Sequence, residues 1–199
     1  MKPIFCIVGK SGAGKSTYLN AIMKDNSLNI KELKYHTTRN KRTDDNDNYH
    51  YTTIEQYKAT NKNEIIESRE YTKYEGKVIY YTTKSDINPD NCDALICAAS
   101  IDQLLSYYEK LDNVYIINIT VSTKERLKRL IDRCNTEIEC YEVCRRTLEE
   151  NTEYSKLKNV DFKDNIIDID NNSVLIKDMD MNVVKILSFI KSKLYSKND

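Results

Sequence analysis

The residues Gly9-Lys10-Ser11-Gly12-Ala13-Gly14-Lys15-Ser16-Thr17 carry the clearest chemistry in the sequence. They fit the spacing G-x-x-x-x-G-K-[ST], in which glycines let the backbone turn its N–H groups inward and approach phosphate oxygens with no Cβ in the way. Gly9, Gly12 and Gly14 supply that freedom and are three of the chain's four glycines. In this pattern Lys15 bridges the outer phosphates of a nucleoside triphosphate, and Ser16 sets a hydroxyl on Mg²⁺. The positive end of the following helix adds to the attraction.

Two further clusters could do phosphate chemistry. Arg39 and Arg42 lie three positions apart in Thr37-Thr38-Arg39-Asn40-Lys41-Arg42, followed by Tyr49-His50-Tyr51. Such arginines can grip a phosphate monoester by bidentate, charge-assisted hydrogen bonds; a solvated basic turn would look the same. Arg129 and Arg133 fall one helical turn apart and so on one helix face, with Arg145 and Arg146 further on. They suit phosphoryl transfer, which needs mobile cations. The interleaved Glu125, Asp132, Glu137 and Glu139 would equally suit a salt-bridged surface helix.

The elements that must position these groups are legible as apolar runs. Ile4-Phe5-Cys6-Ile7-Val8 reads as a strand buried on both faces, and Tyr18, Leu19, Ile22 and Met23 recur at helical spacing after the loop. ALICAA (94–99), VYIINITV (114–121) and NIIDID (165–170) give three more core strands. A helix over 101–111 and a closing amphipathic helix over 183–194 accompany them. Alternation of this kind implies a parallel sheet with right-handed crossovers. Residues 27–62 are polar and read as an inserted subdomain of short antiparallel strands with a helix at 54–59. A second piece of it spans 64–83, with Glu75-Gly76 as a hairpin turn. From Thr123 to about Leu157 the pattern is charged and helical, with a break near Asn135-Thr136, and Ser196–Asp199 are expected to fray.

Composition bounds the function. The 199 residues suit one domain with appendages, and 31 Lys+Arg balance 31 Asp+Glu, so no global basic field points to nucleic acid. The six cysteines lack CxxC spacing and there are two histidines, His36 and His50, which argues against a zinc site and for free thiols. No apolar stretch reaches membrane-spanning length and no signal peptide is seen, so a soluble, cytoplasmic protein is expected.

The sequence resembles the guanylate kinases, a branch of the P-loop nucleoside monophosphate kinases. The resemblance rests on GKSGAGKST, TTRNKR with Tyr51 after it, NEIIE (63–67), YYTT (80–83), KERLKRLIDR and CRRTLEE, and covers most of the chain. It implies that Gly9, Ser11, Gly12, Ala13, Gly14, Lys15, Ser16 and Thr17 bind ATP, with Mg²⁺ at Ser16. It implies that Arg39, Arg42, Tyr51 and Tyr81 hold the phosphate of GMP, and that Glu67 and Thr83 read the base. Arg129, Arg133 and Arg146, with Arg145 as a substitute for the last, would close over both nucleotides and act with Lys15 and Arg39 in catalysis. For Glu67 a physical case stands beside the resemblance: a carboxylate can accept from the adjacent N1–H and N2–H₂ of guanine, a pair adenine lacks.

The expected architecture is therefore an α/β P-loop NTPase core (about 1–33, 84–122 and 158–199) with a parallel sheet flanked by helices. A small mixed-β monophosphate-binding subdomain (about 34–83) and a helical lid (about 123–157) complete it. The expected partners are ATP and GMP, dGMP or a related nucleoside monophosphate, with no nucleic acid or membrane, in a monomer or homodimer. A different acceptor and a non-catalytic guanylate-kinase-like binding module are the alternatives. The sequence departs from the family at Ala98 and Ala99, where strand-end aspartates are usual and for which Asp102 could compensate. Tyr35 replaces a small hydroxyl residue, Thr82 replaces a glycine, and the segment between Glu67 and Tyr80 is long.

Overall fold

A computed structural model describes residues 1–41, 49–73, 76–173 and 175–195. Arg42, the turn residue Glu75 and the terminal stretch Ser196–Asp199 lie outside the described residues.

Five strands form one parallel sheet: β1 (Ile4–Val8), β2 (Ile30–Glu32), β7 (Ala94–Ala98), β8 (Val114–Thr120) and β9 (Ile166–Asp170), in the order β2-β7-β1-β8-β9. Their side chains alternate between two cores, as a period of two requires. Ile4, Cys6 and Val8 of β1 face one way, with Leu95 and Cys97 of β7, and pack on Ile101, Leu104 and Tyr107 of α3 (Ile101–Lys110). Phe5 and Ile7 face the other way, onto Tyr18, Leu19 and Ile22 of α1 (Lys15–Met23) and Ile186, Leu187 and Ile190 of α6 (Ile176–Tyr195). Each such side chain contributes on the order of 1.5–3 kcal/mol by leaving water. The four core strands expected from apolar runs are present. The fifth, β2, is a short edge strand of half-exposed and exposed residues, and its sequence Ile-Lys-Glu carries no run that marks it.

The second sheet is mixed, in the order β4-β3-β6-β5, from β3 (Tyr35–Thr37), β4 (Tyr49–Tyr51), β5 (Ile65–Lys73) and β6 (Gly76–Thr83). The expected antiparallel pairing holds for β5 with β6 and β3 with β6, whereas β3 and β4 run parallel. Helix α2 (Ile54–Ala59) starts at Thr53, whose hydroxyl accepts from the Gln56 amide while Gln56 reaches back to the Thr53 amide. The charged region divides as expected into α4 (Thr123–Ile131) and α5 (Glu137–Ser155), with a second capping box from Thr136 and Glu139 opening α5.

Among the described residues no helix is long and apolar enough to cross a membrane. All six cysteines are free thiols.

Candidate active site

The loop between β1 and α1 has the geometry its glycines anticipate. Gly12 and Gly14 adopt φ of 80° and 101°, a region that L side chains rarely occupy. A Cβ at Gly14 would also stand 2.7 Å from Asn171 Nδ2, and one at Gly12 2.8 Å from the Arg126 carbonyl. Asn171 follows β9, donates from Nδ2 to the Ala13 carbonyl (2.8 Å) and accepts from Tyr18 Oη (3.0 Å), fixing the loop's far side. Lys15 folds back to donate to the Gly9 carbonyl at 2.5 Å. Burial pulls its amine below the ordinary lysine value. Ser16 and Thr17 are exposed in the first turn of α1.

The loop already holds an anion. The Ser11 amide donates to Glu150 Oε1 at 2.7 Å, and the Ser11 hydroxyl donates to the same oxygen. Arg126, 1% exposed, donates from Nη1 to Glu150 Oε2 (2.9 Å) and to the Ser11 carbonyl (3.2 Å). Its Nε and Nη2 are buried with no partner among the described residues. Lys10 Nζ reaches Asn151 at 2.6 Å. Helix α5 is thereby tied to the phosphate loop through its own carboxylate.

A cleft of about 910 Å³ joins this region to the mixed sheet, with Ser11, Tyr35, Tyr49, Arg69, Tyr80, Ala98, Arg145 and Arg146 in its wall. Carboxylates line it too, from Glu142, Glu149, Glu150 and Glu153. Strand pairing decides which mixed-sheet residues share its face. Tyr35 is paired with Tyr49, Thr37 with both Tyr51 and Tyr80, Tyr80 with Arg69, and Thr82 with Glu67, so all of these side chains point to one side. Arg39 Nε donates to Tyr80 Oη (3.2 Å), and its guanidinium lies 5.2 Å from the Tyr49 ring centre and 6.0 Å from that of Tyr51.

Tyr81 points to the opposite face. It is paired with His36 and Ser68 and stacks on the His36 ring at 4.7 Å. Of the adjacent pair Tyr80 and Tyr81, the one beside Arg39 is therefore Tyr80, a one-residue difference that reverses the face because strand side chains alternate. The same parity governs the threonines. Thr83 spends its hydroxyl on Asp86 Oδ2 (2.6 Å) and Ser85 (2.9 Å), whereas Thr82 donates to Glu67 Oε1 at 3.2 Å.

A family model for guanylate kinase matches residues 1–174. The chain belongs to the guanylate kinase family. A curated guanylate kinase from Shewanella denitrificans is 37% identical over 70 residues, a stretch that spans 34% of this chain and 34% of that relative. The crystal structure of guanylate kinase from Anaplasma phagocytophilum aligns over 98% of this chain and 87% of that chain, with a TM-score of 0.62 and 16% identity, and shows the common fold.

Within this guanylate kinase fold the arginines of α4 and α5 fall in different surroundings. Arg129 donates to Glu125 (3.0 Å) and to the Asn171 carbonyl (2.9 Å), beside the phosphate loop. Arg133 lines a smaller cleft of about 380 Å³ with Ser11 and Arg146. Arg145 and Arg146 both reach the main cleft and share Glu142, at 2.7 and 2.9 Å. Asp102 is engaged by Lys156 at 2.5 Å, and Ala98 forms cleft wall where the family usually has a carboxylate nearby.

Among the described residues no cluster of three or more His, Cys, Asp or Glu could hold a metal unaided. Mg²⁺ does not require one, because it keeps several waters and takes most protein-derived anchoring through one or two groups plus phosphate oxygens. The exposed Ser16 hydroxyl fits that role.

Sequence reasoning passed over Arg69, Arg126, Glu150 and Asn171. Arg69 was detectable, since it stands two residues from Glu67 on one strand and so shares its face. Arg126, Glu150 and Asn171 reach the loop from far along the chain, which no local pattern encodes.

Proposed function

We propose that the protein is an ATP-dependent nucleoside monophosphate kinase, a guanylate kinase that converts ATP and GMP, or dGMP, to ADP and GDP, or dGDP. The observation that carries this reading is the one cleft whose wall includes Ser11 of the phosphate loop, Tyr49 and Tyr80 around Arg39, and Arg145 and Arg146 of α5. A donor site, an acceptor site and mobile cations in one space are what phosphoryl transfer between nucleotides needs.

In this reading the loop amides and Lys15 hold the ATP phosphates, Lys15 exchanging the Gly9 carbonyl for a phosphate oxygen. Arg39 holds the acceptor phosphate with Tyr80 and Tyr51 beside it, joined by Arg42. Ser16 would hold Mg²⁺, which would supply charge neutralisation on the transferring group. Arg145 and Arg146 leave Glu142, an exposed pairing worth about 0–1 kcal/mol, for the much denser charge of the phosphates. The segment over α4 and α5 acts as a lid, and its closure keeps water from the transferring group. No general base is required, because the attacking phosphate oxygen is already ionised.

The test is ADP release, coupled to NADH oxidation, across GMP, dGMP, AMP, CMP, UMP and dTMP. GMP and dGMP are expected to give the highest kcat/KM. A different monophosphate in first place removes the guanine assignment, and no turnover with any of them removes the kinase reading. The second reading, a different or broader acceptor, is favoured by Tyr35 in the cleft wall and by Arg69 bonded to Glu67.

A further inference from the structure

The base-reading end of the cleft is not built around an available carboxylate. The Glu67 side chain is 1% exposed, and its oxygens are occupied. Oε2 accepts from Arg69 Nε at 3.0 Å, while Oε1 accepts from Thr82 Oγ1 at 3.2 Å and from Arg69 Nη2 at 3.4 Å. What reaches the cleft at this point is Arg69, whose side chain is 18% exposed.

Arg69 is held in a fixed plane. Glu67 takes its Nε and Nη2 side, and Nη1 donates to the hydroxyl of Ser100 at 2.8 Å. Ser100 is itself fixed as the N-cap of α3, accepting from the Gln103 amide. A guanidinium has five N–H donors; three are spent in this way, leaving one on Nη1 and one on Nη2. Two remaining donors on one rigid plane can meet two adjacent acceptors. Guanine presents such a pair at O6 and N7, whereas adenine sets an amino donor beside N7. Because Glu67 balances the charge of Arg69, the pair suits a neutral base better than a second phosphate, which would compete with a carboxylate already in place. The rings of Tyr35, Tyr71 and Tyr80 in the same wall supply flat surfaces for a purine.

Resting on the guanylate kinase reading, we propose that Arg69 is the specificity-determining residue of the acceptor site and reads the O6/N7 edge of guanine. Glu67 is its positioning residue. In this arrangement the 2-amino group of guanine contributes little, and N7 and O6 contribute much.

The experiment compares kcat/KM for GMP, IMP, 7-deaza-GMP and 2-aminopurine riboside monophosphate on the unmodified protein, then repeats it with Arg69→Lys. IMP, which lacks only the 2-amino group, is expected within about threefold of GMP, because no contact is lost. The 7-deaza and 2-aminopurine nucleotides, which lack N7 and O6, are expected to fall by about 10- to 100-fold, the discrimination a bidentate pair provides. Arg69→Lys keeps the charge beside Glu67 and removes the fork, so the ratio of GMP to 7-deaza-GMP is expected to collapse toward one. A large loss with IMP and none with 7-deaza-GMP overturns the proposal and leaves the kinase reading standing, with Glu67 turned out to the base. An unchanged ratio in Arg69→Lys overturns it as well. Turnover of no purine monophosphate overturns both.

Discussion

The Glu150 carboxylate and the Ser11 amide, 139 residues apart in the chain, are joined by an N–H···O bond of 2.7 Å in which the phosphate loop donates to the helix that lies over it. The carboxylate therefore occupies a donor that a triphosphate would use. It is also the counter-charge of buried Arg126. Glu150→Gln keeps the shape and removes the charge from both contacts, so ligand binding reads the first role and thermal stability the second. A neutral acceptor is weaker than a charged one by about 1 kcal/mol. ATP is therefore expected to bind about fivefold tighter by calorimetry, while the melting temperature falls by about 2–4 °C per kcal/mol lost. Unchanged or weaker ATP binding would show that Glu150 does not compete for the loop.

Lys15 is expected to matter for activity far more than for stability. Its amine is buried and bonded to a backbone carbonyl, so an apolar side chain of similar length costs little in folding. Lys15→Met should lower kcat by on the order of 10²-fold or more, the scale set by losing one electrostatic donor to the transition state. The melting temperature should move by no more than about 3 °C. A large loss of stability with activity retained in the folded fraction would contradict the assignment.

Arg145 and Arg146 share one carboxylate, Glu142, and both line the cleft. If either stands in for the other, each single alanine variant is expected to lose little, and the double variant to lose more than the product of the two single losses. The double variant should lose at least about 10²-fold in kcat, with KM for the monophosphate nearly unchanged, the signature of contacts made only in the transition state. Steady-state kinetics of the three variants decides this. Strict additivity would mean that the two residues act at separate places.

Glu142 also sets a pH dependence. Its hydrogen bond from Arg145 draws the carboxyl down from the ordinary 4.5 to about 2. A lowered value in the folded state means that the group contributes stability above pH 4.5, and that this is lost as the pH falls from there toward about 2. The melting temperatures of wild type and Glu142→Gln should therefore differ at pH 6 and converge by about pH 2. Because the pair is exposed, the difference is small. A gap that persists at pH 2 would assign the effect to something other than this titration.

Much was determined by the sequence alone. The spacing from Gly9 to Thr17 fixed the phosphate loop, because φ of 80° and 101° at Gly12 and Gly14 is a local backbone demand that only a local residue type can answer. Four core strands and the break near Asn135-Thr136 between α4 and α5 were readable for the same reason, as apolar runs and their interruptions are short-range patterns. Tertiary structure decided which neighbours face the cleft. Register across β3, β5 and β6 put Tyr80 there, Thr82 buried against Glu67 on the same side, and Tyr81 on the far side, since one residue along a strand reverses the face. It also brought Arg69 onto Glu67 and Glu150 onto Ser11. Burial leaves a charged group little choice but to find a partner, and that partner is set by packing in three dimensions rather than by position in the chain.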